Sequence, residues 1–152
     1  MKILRADEER MHQLLAEPED VHAFIEDPRY PEVDIDKSWH SIHYALTGEL
    51  WGGEGSAAFI QVGGTPLGDE DIGFGPARVF FADEVAEISQ VVSSLSEKDF
   101  RAALERDEAK RVHGSHGSPV TDQTFAYDAR HLAALKIFLQ ESSGSAILLA
   151  LT

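Results

Sequence analysis

Apolar side chains recur every three or four positions through the first third of the chain, the spacing typical of amphipathic helices. Three segments show this pattern, residues 7–16, 19–26 and 36–48. Pro18 separates the first two, because proline disrupts the interior of a helix. Asp36 suits the N-cap of the third segment, and Gly48 suits the position after its end. We therefore expect three short helices in this region.

The rest of the chain alternates short apolar runs with further helical patterns. The short runs predict strands over residues 57–62, 78–81 and 146–151, with residues 1–4 as a fourth strand at the sheet edge. Helical spacing predicts helices over residues 83–95, 96–104 and 124–141, with residues 113–123 as a loop. Asp83 and Ser96 are the expected caps of the first two. Alternating strands and helices predict an α/β fold over residues 1–152, a single compact domain with a small mixed, partly parallel sheet.

Composition then narrows the classes of partner. The chain has 27 acidic and 13 basic residues, a net charge of -14, and 43% hydrophobic residues. This charge repels nucleic acids and anionic membranes, so neither is an expected partner. There is no cysteine, which excludes disulfides and thiolate zinc sites. The longest apolar run, residues 146–151, is too short to span a bilayer. We expect a cytoplasmic protein.

The charge and the glycines are unevenly distributed. Residues 1–36 contain 11 acidic and four basic residues, which contributes -7 to the net charge. Nine of the 12 glycines lie between Gly48 and Gly75. The pattern indicates an acidic, helical N-terminal region followed by glycine-rich loops. Such loops commonly carry functional residues.

Several unusual motifs occur in order along the chain. They are DKSWHSIHYALTG from Asp36, WGGEG from Trp51, GGTPLGDEDIGFGPARVF from Gly63, and LLALT at the end of the last apolar run. With these motifs, residues 36–152 resemble the YfbM-like family of bacterial proteins, a domain of unknown function. The resemblance implies a compact three-layer α/β fold in a cytoplasmic bacterial protein. It implies no particular reaction.

Common catalytic and nucleotide-binding motifs are absent from the sequence. The segments GEGSAA and GFGPAR lack the third glycine of a dinucleotide fingerprint, and no glycine precedes Lys-Ser or Lys-Thr as in a P-loop. The segment beginning at Asp69 departs from the EF-hand pattern in its glycine and in its last ligand. Neither G-x-S-x-G nor H-E-x-x-H occurs. Any active site would have to be assembled by the fold.

One group of side chains has the composition of a chemical site. His40 and His43 are three residues apart, which makes them neighbours on a helix. The nearby glycine-rich loops carry four carboxylates: Glu54, Asp69, Glu70 and Asp71. Such a group would bind a divalent metal or act as an acid–base pair. In the structural alternative, which we prefer, one histidine is packed, the other is at the surface, and Asp69 and Asp71 brace turns. We assign no metal or cofactor.

Two tryptophans and one arginine flank this group. We expect Trp39 and Trp51 to be core or half-buried anchors, although either would also suit a pocket wall or a protein contact. We expect Arg78 to pair with Asp69 or Asp71; otherwise it would receive an anionic ligand. The histidines of the HGSHGS segment, His113 and His116, fit a polar loop better than a metal site.

Two functional hypotheses follow. The first is a non-catalytic binding protein that neutralises a basic protein partner, and it rests on the charge and the missing catalytic motifs. The second is a small metal-dependent or acid–base enzyme, or a ligand binder, with its residues in one cleft: His40, His43, Glu54, Asp69 and Arg78. Convergence of these five side chains would favour the second hypothesis. Local hydrogen bonding of each would favour the first, which is our preferred interpretation.

Overall fold

The computed structural model describes residues 1–112 and 120–152 of the chain. Its helices are α1 (Glu8–Ala16), α2 (Val21–Ile25), α3 (Ser38–Thr47), α4 (Ala82–Ser94), α5 (Glu97–Leu104) and α6 (Asp122–Glu141). Its strands are β1 (Lys2–Ala6), β2 (Glu32–Asp34), β3 (Thr65–Pro66), β4 (Arg78–Phe80) and β5 (Ala146–Ala150). The α/β class is therefore as predicted from the alternating pattern.

The five strands form one sheet in the order β2-β1-β5-β4-β3. All four pairings are antiparallel, so the prediction of a mixed, partly parallel sheet is wrong. Strand β1 is not at the edge, because it lies between β2 and β5. The edges are the two short strands that the apolar pattern did not reveal, and their residues are mostly exposed.

Helices cover both faces of the sheet, which gives three layers. Strand β5 is buried throughout, as expected for its unbroken apolar run. Its Ile147 and Leu149 belong to one core cluster, with side chains from α3, α4, α5 and α6. Leu148 lies on the opposite face, in a second cluster with Met11 of α1 and Phe24 of α2. The sheet thus separates the acidic N-terminal helices from α3.

Helix ends agree with the predictions at some positions and differ at others. Gly48 ends α3 with φ of 76° and donates its N–H to the Tyr44 carbonyl, as expected of a residue at this position. The start of α3 differs, since Lys37 is the N-cap in place of Asp36. At α4 the N-cap is Phe81, whose N–H donates to the Glu84 carboxylate, so Asp83 is not the cap.

The strand predicted over residues 57–62 is wrong. This segment forms a 3-10 helix, Ser56–Ala58, followed by a turn. The N–H groups of Gln61 and Val62 both donate to the Ala58 carbonyl, so the hydrogen bonds are local. Phe59 and Ile60 are consecutive in the chain and both buried, whereas a half-buried strand would turn one of them outward. Periodicity alone does not separate a short apolar turn from a strand.

Part of the predicted loop over residues 113–123 lies outside the described residues, and so do His113 and His116. Where the structure resumes, Thr121 is the N-cap of α6, so this helix begins two residues before the predicted start at 124. Among the helices of residues 1–112 and 120–152, none has the length and hydropathy needed to cross a membrane.

Candidate functional site

Helix α3 carries the aromatic and imidazole side chains that the sequence nominates. Trp39, His40 and His43 all lie on this helix and are all buried, with at most 3% of each exposed. The expectation that one histidine would be at the surface is therefore wrong. The reason is that α3 packs against α5, α6 and the 3-10 helix at residues 56–58, which cover it on several sides.

His40 is held by its neighbours. Its Nε2–H donates to the Leu50 carbonyl at 2.5 Å, which fixes the orientation of the ring. The ring stacks on Trp39, with centroids 4.8 Å apart, and lies 4.5 Å from the Trp51 ring. These contacts give His40 a packing role beneath Trp51.

His43 and Tyr44 are buried without visible polar partners. The two ring nitrogens of His43 have no hydrogen-bond partner among the described residues. The same holds for the Tyr44 hydroxyl. Burial, together with the nearby His40 ring, lowers the pKa of His43 from 6.5 to about 4. The imidazole is therefore neutral at physiological pH. A buried polar group without a partner costs about 1–3 kcal/mol, so these polar atoms lower the stability that the burial of the two rings provides.

An exposed aromatic surface covers the buried Trp39. Trp51 is 56% exposed and Phe74 is 48% exposed, in contrast to most large apolar side chains of this chain. Both rings contact Trp39, at centroid distances of 6.1 Å and 5.4 Å. Trp39 is thus the core anchor that the sequence predicts, whereas Trp51 offers its ring to solvent.

Two adjacent grooves share Glu54. The first, here called the Trp51 groove, has a volume of about 570 Å³ and is lined by Leu46, Thr47, Glu49, Trp51, Glu54 and Ala57, among others. The second, here called the Phe80 groove, has a volume of about 420 Å³ and reaches from Glu54 to α4. Glu54 is exposed, as is Glu49. No lysine or arginine lines either groove in the described part of the chain.

The acidic loop at residues 69–71 is stabilised by hydrogen bonds within its own turn. None of the hydrogen bonds described for these three residues reaches α3. The Asp71 carboxylate accepts hydrogen bonds from the N–H groups of Gly73 and Gly75, at 2.8 and 2.9 Å. These bonds lower the pKa of Asp71. Glu70 contacts His22 on α2 at 3.1 Å, and Asp69 is exposed. Asp71 thus has the turn-bracing role expected in the structural alternative.

Arg78 binds backbone carbonyls, so its predicted pairing with Asp69 or Asp71 is wrong. Its guanidinium donates to the carbonyls of Ile60 and Gly63, at 2.5 and 3.1 Å. Burial lowers the pKa of Arg78 to about 10, which leaves it charged at neutral pH. The glycine-rich turn has carbonyls with no helix or strand partner, and the arginine satisfies two of them.

The five side chains that would have formed one cleft do not converge. His40 and Arg78 bind backbone carbonyls, His43 is enclosed, and Glu54 and Asp69 are exposed on separate loops. Within the described residues, no group of three or more histidine, aspartate or glutamate side chains is placed to hold a metal ion.

A serine, a histidine and an aspartate meet between α3 and α6, a grouping that sequence reasoning missed. Ser38 Oγ donates to Asp128 Oδ1 at 2.7 Å and lies 3.0 Å from His131 Nδ1. In a nucleophilic triad the histidine accepts the serine proton, but here that proton goes to the aspartate. Ser38 is also fully buried. The grouping therefore ties α6 to the start of α3.

Comparison with known proteins agrees with this fold. No curated protein matches the chain. Among solved structures, the crystal structure of YfbM from Escherichia coli, a protein of unknown function, is similar with a TM-score of 0.65 and 21% sequence identity. That likeness covers 97% of this chain and 96% of YfbM. The family model described as the domain of unknown function DUF1877 matches residues 1–149. The chain therefore belongs to this YfbM-like family of domains of unknown function.

Proposed function

We propose that this protein is a non-catalytic binding protein whose partner is a protein with basic side chains, and that the Trp51 groove is the contact surface. One observation carries the proposal: an exposed tryptophan lies in a groove with two glutamates and with no basic residue in its described lining. Tryptophan rings and carboxylates both attract lysine and arginine side chains. Tryptophan is also enriched at the centres of protein interfaces.

The charge of the whole chain supports the same proposal. A net charge of -14 speeds the encounter with a basic partner, while the groove would supply the short-range contacts. The resemblance to YfbM-like proteins of bacteria implies that this encounter takes place in the cytoplasm. The metal or acid–base alternative has less support, because His40 and His43 are enclosed and no group of three or more histidine, aspartate or glutamate side chains among the described residues is placed to hold a metal ion.

A charge-matched pair of variants tests the proposal. The probe is a fluorescent arginine- and lysine-rich peptide of about 20 residues, titrated in about 0.15 M salt so that diffuse attraction is screened. The double variant Glu49→Gln/Glu54→Gln removes two charges from the groove. The control Glu17→Gln/Glu26→Gln removes two exposed charges near α1 and α2. Both variants have the same net charge, so only position differs.

We expect the groove variant to bind the peptide roughly tenfold more weakly and the control to change affinity less than twofold. Trp51→Leu should weaken binding by a similar factor, because the aromatic contact is lost while the charge is kept. Equal losses in the two double variants would mean that net charge alone attracts the peptide, and would refute the Trp51 groove as the contact surface.

A further inference from the structure

The Phe80 groove combines an apolar floor with an acidic rim. Its floor consists of the half-buried Val62 together with the buried Phe59, Phe80 and Ile88. Each of the last three is at most 2% exposed, so Val62 offers more accessible apolar surface than they do. The two phenylalanine rings meet edge to face, with centroids 6.3 Å apart. The rim carries the carboxylates of Glu54, Glu84 and Glu87. A ligand that fits both parts would need a long apolar stem and a cationic end.

Two of the rim carboxylates are held in position by hydrogen bonds. Ser56 Oγ donates to Oε2 of Glu87 at 2.8 Å, and the Phe81 N–H donates to Oε2 of Glu84 at 2.9 Å. Each contact uses only the Oε2 atom of its carboxylate. The Oε1 atoms of Glu84 and Glu87 have no hydrogen bond or ion pair in the described part of the chain. The rim therefore offers two oriented acceptors whose side-chain freedom is already reduced, which favours binding.

One wall of the groove requires glycine. Gly64 has φ of 69°, and a Cβ on it would lie 2.9 Å from the Phe80 ring and 2.8 Å from the Val79 carbonyl oxygen. No side chain can therefore fill the space beside Phe80 at this position. The Arg78 guanidinium binds two backbone carbonyls of this turn and lies over the Phe80 ring, 5.6 Å from its centroid, but Arg78 does not line the groove.

We propose that the Phe80 groove binds the side chain of one arginine. The aliphatic stem would lie on the apolar floor, and the guanidinium would donate to the oriented carboxylates of Glu84 and Glu87. Arginine fits better than lysine, because its planar group has five donors in a fixed fork and can donate to both carboxylates at once. The inference rests on the proposed function, in which the partner is basic, and names the residue that the surface next to the Trp51 groove recognises.

Amide chemical shifts locate the binding directly. The 15N-labelled full-length protein is titrated with N-acetyl-arginine amide, and in parallel with the lysine and citrulline equivalents. We expect arginine to shift the amides of Ser56, Gly63, Gly64 and Glu87. Citrulline keeps the shape but lacks the charge, so it should bind at least roughly tenfold more weakly. The lysine compound should bind roughly threefold more weakly, because it lacks the planar fork.

A matched pair of α4 variants controls for charge. Glu87→Gln keeps an acceptor for Ser56 but removes the charge, so arginine should bind roughly fivefold more weakly. Asp83→Asn removes one charge from the same helix outside the groove lining and should change binding less than twofold. Absent shifts in the groove, citrulline binding equal to arginine, lysine binding as tight as arginine, or equal losses in both variants would each overturn the inference.

The two proposals fail separately. If the basic peptide still depends on Glu49 and Glu54 while N-acetyl-arginine amide leaves the Phe80 groove unshifted, the proposed function stands and this inference is wrong. If arginine shifts the groove amides while the peptide shows no dependence on Glu49 and Glu54, the arginine site stands and the Trp51 groove is not the contact surface.

Discussion

Acidification should destabilise this protein through His43 as the pH falls from 6.5 towards 4. The side chain is fully buried, and its pKa is about 4 in the folded protein against 6.5 for an unperturbed histidine. As the pH falls below 6.5, the unfolded chain binds a proton at this position and the folded protein does not. Stability contributed by neutral His43 is therefore lost progressively between pH 6.5 and about 4.

The size of the effect follows from the two pKa values. A difference of about 2.5 pKa units, at about 1.4 kcal/mol for each unit, gives a full loss of about 3.5 kcal/mol. At pH 4 the folded-state imidazole is about half protonated, so the loss between about pH 7.5 and pH 4 is about 3 kcal/mol. This is a large share of the free energy of unfolding of a typical domain, which is roughly 5–15 kcal/mol. Asp27, Asp36, Asp71 and Asp107 have lowered pKa values, so their protonation destabilises the protein mainly at lower pH.

Urea denaturation followed by tryptophan fluorescence measures this loss at each pH, because Trp39 is buried and unfolding exposes it. His43→Leu removes the titrating group and two unpartnered polar atoms, so it should equal or exceed the wild type at about pH 7.5. Its advantage should then grow by about 3 kcal/mol on acidification to pH 4. Ile42→Val, a substitution without an ionisable group on the same helix, is the control, and its stability difference from the wild type should not change over this pH range.

A constant difference between His43→Leu and the wild type across this pH range would refute the reasoning. It would mean that His43 titrates equally in the folded and unfolded chains. Imidazole resonances followed by NMR check the same point independently, because the His43 ring should remain neutral at pH 5.

Three further substitutions and one control test a buried hydroxyl and the glycine-rich turn. Tyr44→Phe removes a buried hydroxyl without a described partner, so urea denaturation should show unchanged stability or a gain of up to about 1 kcal/mol. Arg78→Lys should destabilise by about 1–3 kcal/mol in the same measurement, because one ammonium cannot reproduce both guanidinium contacts. Gly64→Ala should cost about 2–3 kcal/mol through backbone strain and overlap with Phe80, whereas Gly48→Ala, with a similar φ but open space around it, should cost only about 1 kcal/mol. Equal thermal and urea stability of the two glycine variants would contradict the overlap.

The helices were the most predictable part of the fold, because their periodicity is local. Gly48 and the buried stripe of α6 could be placed from spacing alone. Strand direction could not, since pairing depends on residues far apart in the chain: Lys2 lies opposite Ala150. The edge strands β2 and β3 were missed because two or three mostly exposed residues leave no apolar alternation to detect.

The candidate site was predicted less well than the fold. His40 and His43 were nominated for their spacing, but α3 is covered on several sides, and spacing does not report burial. Phe74 was not nominated, although an aromatic residue between Gly73 and Gly75 is an unusual placement for a core side chain and would have been a usable signal. Glu84 and Glu87 were not nominated, because the groove that they line depends on a turn 20 or more residues away.

Strand β5 has a consequence for how the protein is made. It joins β1 to β4, so without it the sheet would be two separate pairs, β2 with β1 and β4 with β3. It is also the last of the described elements to leave the ribosome, and its partner β1 is the first. Until β5 emerges, β1 and β4 each lack the strand that pairs with them in the folded sheet. The apolar residues Ile3, Leu4 and Val79 therefore lack their partners on β5. Completion of this sheet is therefore a late, non-local step, and the apolar residues of the early strands stay uncovered for longer during synthesis than they would with local pairing.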